Sequence, residues 1–193
     1  MKFSPALMAM VASSLFATSS FALTQAEYKT EKDQIAASYK SAKAQCDTMK
    51  DNAKDVCKKQ AEGAEKVAKA DLEARKSPTE RNHHKARLAK ADADYEVAKE
   101  KCDDQAGNAK DVCKKDATTA HVTAKENAKV AKAIETPART PAVHNANVSE
   151  ARQDAAVEKN EANYKAAAER CDTLSGAVKD KCVADAKLKF GQK

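Results

Sequence analysis

Apolar side chains recur at steps of three and four residues along three stretches of the chain, each of which runs into a cysteine. They are Ile35, Tyr39, Ala42, Cys46 and Met49; Leu88, Ala91, Tyr95, Ala98 and Cys102; and Val157, Tyr164, Ala167, Cys171 and Leu174. That spacing draws one apolar stripe along a helix, and the surrounding alanine, lysine and glutamate are strong helix formers. The pattern predicts helices over residues 25–49, 53–76, 79–105, 109–135, 148–173 and 177–189.

A cysteine-bounded dodecamer occurs three times and separates these helices in pairs. The copies are CDTMKDNAKDVC (46–57), CDDQAGNAKDVC (102–113) and CDTLSGAVKDKC (171–182). In every copy a tyrosine lies seven residues before the first cysteine, and an aspartate follows that cysteine. Repetition of this kind predicts one supersecondary unit used three times.

The eleven-residue separation within each cysteine pair distinguishes a straight helix from a hairpin. A straight helix would hold the two cysteines about 16 Å apart, whereas a disulfide needs Cα atoms within about 7 Å. Gly107 and Gly176 can end a helix in the left-handed region, and Asn52 and Asn108 can cap the helix that follows. The first copy carries Asp51 in place of glycine. Together these features favour a hairpin whose bend is closed by a disulfide.

Local signals set the boundaries of the three units. Thr24 and Glu27 have the spacing of a capping box, and Ser77-Pro78-Thr79-Glu80 repeats it with proline at the first helical position. The stretch 136–147 contains two prolines and predicts an exposed linker, with Asn147 capping the next helix. We therefore predict an all-α, elongated fold of three disulfide-stapled antiparallel helical hairpins, at 23–77, 78–135 and 148–193. Its core is expected to be thin and rich in alanine.

The N-terminus indicates export. One lysine precedes a short apolar run, and Ser20-Phe21-Ala22 has the small residues of a cleavage site, so residues 1–22 are predicted to be a secretory signal peptide. No later segment is apolar enough to span a membrane. An even number of regularly paired cysteines on an exported chain predicts a disulfide framework. The predicted bonds are Cys46–Cys57, Cys102–Cys113 and Cys171–Cys182, in a periplasmic or secreted protein.

Charge argues against a nucleic-acid partner. Without Lys2, the 35 basic side chains become 34 and face 29 acidic ones, a net charge of +5. The signs alternate along the chain, as on a solvated helix face, and aromatic residues are few. Export also separates the protein from cytosolic nucleic acid.

Catalytic and metal-binding patterns are absent from the sequence. It contains no Gly-rich phosphate loop, no nucleophile elbow and no HExxH motif. Catalytic cysteine pairs are usually spaced as Cys-x-x-Cys, and the adjacent His83 and His84 have no further ligand at zinc spacing. We therefore predict no catalytic, cofactor-binding or metal site and assign the six cysteines to disulfides.

The unit Tyr-x6-Cys-Asp…Ala-Lys-Asp-Val-Cys resembles a group of small, uncharacterised periplasmic proteins of Gram-negative bacteria. Their Ala/Lys-rich helices are likened to the helical segment of the envelope protein TolA. The resemblance covers roughly 24–135 and 148–190, and the third copy departs from the pattern at Ala177 and Lys181. It implies an envelope location and carries over no functional residue.

These observations predict a non-enzymatic envelope protein with a structural, binding or stress-related role and an unidentified envelope partner. One alternative is a protein that adsorbs to anionic lipid or polysaccharide, and another is a thiol-based metal or redox protein. The repeated tyrosines are expected to pack across each hairpin, near Ala64, Ala120 and Lys189 respectively. The rival interpretation is that they form an exposed binding stripe.

Overall fold

The computed structural model describes residues 23–193, so the predicted signal peptide at 1–22 lies outside the described residues. Six α-helices follow one another: α1 (Gln25–Cys46), α2 (Asp51–Lys76), α3 (Glu80–Cys102), α4 (Gly107–Glu135), α5 (Pro141–Arg170) and α6 (Gly176–Phe190). A single turn of 3-10 helix, Cys171–Thr173, follows α5. The predicted all-α fold of disulfide-stapled antiparallel hairpins is confirmed.

The helices form a single layer. Among residues 23–193, every extensive helix contact joins helices that are consecutive in the chain, from α1 with α2 through to α5 with α6. A bundle would also bring the first helix against the third or fourth, and no such packing is present in this range. Consecutive helices are antiparallel because short turns join them. All three stapled turns consequently lie along one edge of the layer, and the turns at 77–79 and 136–140 lie along the opposite edge.

The core is thin, as the sequence predicts. Ten of the fifteen buried apolar side chains between residues 23 and 193 are alanines, and Leu72 is the largest side chain that is fully buried. An alanine buries little apolar area, so each helix pair gains modest stability from packing. No helix in this range is both long enough and apolar enough to cross a membrane.

At the starts of α1, α3 and α5, the structure agrees with the sequence signals once and differs from them twice. The Thr24 side chain accepts a hydrogen bond from Glu27 N–H, and Glu27 accepts one from the Thr24 backbone N–H, which completes the predicted capping box. At α3 the cap is Thr79, and Pro78 precedes it instead of occupying the first helical position. The third start, that of α5, differs more and changes the boundary of a unit.

The linker predicted at 136–147 is wrong for most of its length. Helix α5 begins at Pro141, and Thr140 caps it by accepting a hydrogen bond from Val143 N–H at 3.3 Å. Proline at the first helical position leaves no orphan N–H, so it starts a helix as readily as it interrupts one. Asn147 therefore lies inside α5 instead of capping it, and the adjacent Val148 is buried.

Candidate binding surface

The three staples have the predicted pairing. Their Cα–Cα distances are 5.4 Å for Cys46–Cys57, 5.6 Å for Cys102–Cys113 and 5.8 Å for Cys171–Cys182. The first cysteine of each pair is almost completely buried, with an exposed fraction of 1%. None of the cysteines carries a free thiol. The arrangement is consistent with an oxidising compartment outside the cytoplasm.

An ion pair braces each stapled turn. The aspartate after the first cysteine meets the lysine eight positions after that cysteine: Asp47–Lys54 at 3.3 Å, Asp103–Lys110 at 2.8 Å and Asp172–Lys179 at 2.8 Å. Hydrogen bonds from these ammonium groups lower the pKa of Asp47 and of Asp103. In the third turn, the bond to Asp172 raises the pKa of Lys179. All three braces are at the surface, where each ion pair contributes little to stability.

One position of the dodecamer has left-handed backbone in all three copies. Asp51 has φ +50°, and the equivalent Gly107 and Gly176 have φ +55° and +57°. Each is the first residue of a helix, so the glycines begin helices α4 and α6 instead of ending the preceding ones. Aspartate tolerates this conformation better than most residues with a side chain, which explains how the first copy folds without glycine.

The predicted capping role of Asn52 and Asn108 is wrong. Lys50 and Ala106 occupy the cap positions and make no side-chain cap hydrogen bond. The asparagine amides instead donate to the next unit: Asn52 Nδ2 to Glu100 O at 3.0 Å, and Asn108 Nδ2 to Glu169 O at 3.2 Å. Both carbonyls lie two residues before the first cysteine of the following dodecamer.

The third dodecamer has Ala177 where the other two have asparagine. Alanine has no side-chain amide, so the hydrogen bonds that Asn52 and Asn108 donate to the next unit have no counterpart at this position. The start of α6 is otherwise like those of α2 and α4, since none of the three has a side-chain cap. The departure at Ala177 therefore removes the link to a next unit and leaves the turn unchanged.

The two unit-to-unit contacts differ at mid-helix. In α2, a Cβ added to Gly63 would lie 2.9 Å from the Cβ of Ala93, so the two backbones approach closely there. The equivalent pair between α4 and α5 is Thr119 and Ala162, where the threonine hydroxyl donates to the Ala162 carbonyl at 3.0 Å. The repeat therefore retains the position of this contact but not its chemistry.

Grooves of equivalent lining follow both unit-to-unit contacts. The groove between α2 and α3, of about 710 Å³, contains Ala64, Ala68 and Ala98. The groove between α4 and α5, of about 830 Å³, contains the equivalent residues Ala120, Ala124 and Ala167 and extends to Phe190 on α6. A third groove, between α1 and α2, shares Ala64 and Ala68 with the first and adds Tyr39. We call this surface, lined by those alanines, the grooved face.

The opposite side of the layer is charged. Glu62 and Lys66 lie two residues from Ala64 and are therefore about 200° from it around α2. They line a smaller cleft of about 350 Å³ together with Asp92 and Glu96 of α3. The two sides of the layer thus differ in their share of alanine. The grooves combine several alanines with charged residues such as Asp71 and Lys101, whereas five of the nine residues that line the cleft are charged and only one is alanine.

The repeated tyrosines, Tyr39, Tyr95 and Tyr164, are all half-buried. The Tyr95 ring stacks on His121 with centroids 4.4 Å apart and an interplanar angle of 5°. His121 follows Ala120, so Tyr95 packs across the hairpin one residue from its predicted contact. Tyr39 and its predicted neighbour Ala64 line the same groove. Tyr95 thus supports its hairpin, and Tyr39 contributes to the floor of the grooved face.

The histidines serve structure in two places. His84 Nδ1 is 3.1 Å from the Ala128 carbonyl, and His121 Nε2 is 2.6 Å from the Asp92 carboxylate. The neighbours His83 and His84 do not meet His121 or His144 in a shared cluster. Between residues 23 and 193, no three histidine, cysteine or acidic side chains come together as a potential metal site.

Sequence reasoning missed the contacts between units. It did not predict that Asn52 and Asn108, the docking asparagines, donate hydrogen bonds to the next unit, or that α2 and α3 approach closely at Gly63. A signal for the asparagines was present, because Asn52 and Asn108 occupy the same repeat position and the last copy lacks them. No comparable signal marked Gly63, which is an isolated glycine in a helical pattern.

Comparison of this chain with protein-family models, with curated proteins and with solved structures gives no match.

Proposed function

We propose that the protein is a non-enzymatic binding scaffold, exported to the periplasm, whose grooved face holds a helical segment of an envelope protein. The observation that carries this proposal is the recurrence of equivalent alanine-lined grooves between α2 and α3 and between α4 and α5. Both grooves lie on the same side of the layer and run parallel to each other, so two helices of one partner can occupy them together.

The layer itself favours a helical partner. Stable domains bury the apolar sides of their helices in two packed layers, and residues 23–193 supply one. Small side chains on the floor, such as Ala64 and Ala120, allow another backbone to approach closely, and both are exposed. An amphipathic helix placed in a groove would supply the larger apolar side chains that the floor lacks.

The disulfides support a location outside the cytoplasm, and the predicted signal peptide at 1–22 supports export. Ion pairs make the anionic-surface alternative less favourable, because lysines such as Lys69 and Lys129 already contact neighbouring carboxylates at 2.7 Å and 2.6 Å. The thiol-based alternative would first require the disulfides to be reduced, since all six cysteines are paired.

Site-specific photo-crosslinking in the native envelope tests the proposal. A photo-reactive amino acid is placed at Ala64 and, separately, at the equivalent Ala120, and the attached proteins are identified by mass spectrometry. The same envelope protein should be captured from both positions. Matched controls carry the photo-reactive residue at Glu62 and at the equivalent Thr118, about 200° around the same helices, and should capture it much less.

Arginine substitutions sharpen the result. Ala64→Arg and Ala120→Arg should each reduce capture from the other groove, while the thermal melts stay within a few degrees because both sites are exposed. Equal capture from both sides of the layer would contradict the proposal, as would an absence of any captured protein at the groove positions.

A further inference from the structure

Exposed apolar side chains are concentrated at the side of the layer where α5 and α6 are the last helices. We call this lateral side the α6 edge, as distinct from the stapled edge. Between residues 23 and 193 there are seven large apolar residues with high exposure, and five of them belong to the third unit: Val143, Val157, Leu174, Val178 and Leu188. The first unit has one, Met49, and Ile134 adjoins the turn that leads into α5. Contiguous exposed apolar surface marks sites of protein association.

A short helix leaves part of this edge bare. Helix α6 has 15 residues, half the 30 of α5, and ends at Phe190. Gly191 caps it with a φ of +66°, and Gln192 N–H donates a hydrogen bond to Lys187 O. The staple aligns Cys182 with Cys171, and the groove lining extends the pair only as far as Asn163 and Phe190. The preceding 22 residues of α5, 141–162, therefore have no helix of residues 23–193 beside them on that side, and Val157 is 63% exposed.

The outer side of α6 is bare as well. Leu188 occupies the repeat position of Gly63 and Thr119, which in the earlier units contact the first helix of the next hairpin. With no next hairpin in the described range, Leu188 is 82% exposed. The edge thus lacks a helix beside α5 and also lacks a helix beside α6.

We propose that this edge joins two copies of the chain as a two-fold dimer, in which α6 of each copy lies beside the bare stretch of α5 of the other. One copy can supply α6 to the bare stretch of α5 in the other, and α5 to the bare outer side of α6. An isologous interface requires this kind of self-complementarity. The bare 22 residues of α5 are long enough for the 15 residues of α6. A two-fold axis normal to the layer brings Leu188 of each copy toward Val157 of the other.

Head-to-tail stacking of units is disfavoured by both ends of the array. Helix α1 carries the exposed Thr30 and Ser41 at the positions where α3 has Ala86 and Val97, so the outer side of α1 is the more polar one. Helix α6 has Ala177 in place of the docking asparagine. The polar outer side of α1 therefore does not complement the apolar outer side of α6, so the association closes at two copies instead of extending.

Analytical ultracentrifugation of the oxidised protein tests the proposal. The mass should correspond to two chains, and Leu188→Lys or Val157→Glu should each weaken association by about ten-fold or more, since each buries a charge against an apolar partner. Combining Leu188→Lys with Val157→Glu should restore the dimer, because the two charges then pair across the interface. Neither residue is buried in the single chain, so circular dichroism melts of the monomeric variants should stay cooperative.

Met49→Lys is the matched control, because Met49 is an exposed apolar residue of the first unit. This variant should dimerise like the parent protein. A single-chain mass at every concentration would overturn the proposal, as would a dimer that Met49→Lys disrupts and Leu188→Lys does not. A dimer insensitive to both edge variants would place the interface elsewhere and overturn it as well.

Discussion

The first unit packs on the second, and the second packs on the third. The two contacts share the same asparagine hydrogen bond at the stapled edge, but they differ at mid-helix. At the stapled edge, Asn52 and Asn108 each donate to a carbonyl two residues before the next cysteine. Away from it, α2 and α3 approach closely at Gly63, whereas α4 and α5 are joined by the Thr119 hydroxyl. The turn therefore fixes how the units dock, and the helix bodies are free to vary.

Removing the middle staple should weaken both contacts at once, and we expect the largest effect here. The middle turn lies between Glu100 and Asn108. The Glu100 carbonyl accepts a hydrogen bond from the first unit, and the Asn108 amide donates one to the third unit. Replacing Cys102 and Cys113 with alanine should lower the free energy of unfolding by about 3 kcal/mol, the chain-entropy value for a loop of this length. Urea unfolding measures it.

The corresponding alanine variant of Cys46 and Cys57 is the comparison for the middle staple. This first staple borders only one unit-to-unit contact, so hydrogen exchange should be faster at the contact of α2 with α3 and unchanged in α4 and α5. Uniform loss of protection in both staple variants would show that the units unfold as one and would remove the distinction.

Gly63→Val should be the next most disruptive change. The added Cβ would meet the Cβ of Ala93 at 2.9 Å, which forces α2 and α3 apart. We expect a loss of about 1–3 kcal/mol, typical of overpacking, in thermal or urea unfolding. Thr119→Val, at the same repeat position, removes only a hydrogen bond and should cost about 0.5–1.5 kcal/mol. Equal losses would mean that the close approach at Gly63 is not required.

The docking asparagines should be interchangeable in their effect. Asn52→Ala and Asn108→Ala should each cost about 1 kcal/mol, the usual net value of one hydrogen bond, when measured by urea unfolding. Ala177→Asn should change nothing, since residues 23–193 place no carbonyl of a following unit opposite that position. A stabilising effect of Ala177→Asn would instead reveal an acceptor at the α6 edge, and the two-fold dimer is the first source to examine.

The smallest expected effect is the acid dependence of the stapled turns. The pKa values of Asp47 and Asp103 are lowered by folding, so their braces contribute above the pKa of the unfolded chain and are lost as pH falls through the folded values. Carboxyl titration by NMR should show Lys54→Met returning the pKa of Asp47 toward its ordinary value, with Asp103 unchanged. An unshifted Asp47 in the parent protein would contradict the brace.

The sequence predicts the stapled hairpins because the evidence is local. Cys46 and Cys57 are eleven positions apart and cannot be joined by a disulfide in a straight helix, so the spacing itself requires a bend. The start of α5 was predicted incorrectly because Thr140-Pro141 is compatible with both a linker and a helix start. Only the packing of Val148 between helices distinguishes them, and packing is not a local property.

The grooved face could not be predicted from periodicity. A period of 3.6 residues shows which side of one helix is apolar, but it does not show which helices lie beside that side. The tyrosine stripe predicted that Tyr95 packs across its hairpin, and Tyr95 stacks on His121, one residue from the predicted Ala120. Contacts between hairpins depend on small residues such as Ala93 and Ala162, which look alike wherever they occur in an alanine-rich chain.

Pairing between cysteines that are consecutive in the chain has a consequence for how the protein matures. A chain that enters an oxidising compartment N-terminus first exposes Cys46 and then Cys57 before any later cysteine. Joining each new cysteine to the one that emerged just before it gives the three native bonds and none of the other fourteen possible connectivities. Because every helix also packs on its neighbour in the chain, each hairpin can be completed in turn. Oxidation in order of emergence is then sufficient, and no disulfide has to be broken and re-formed along the way.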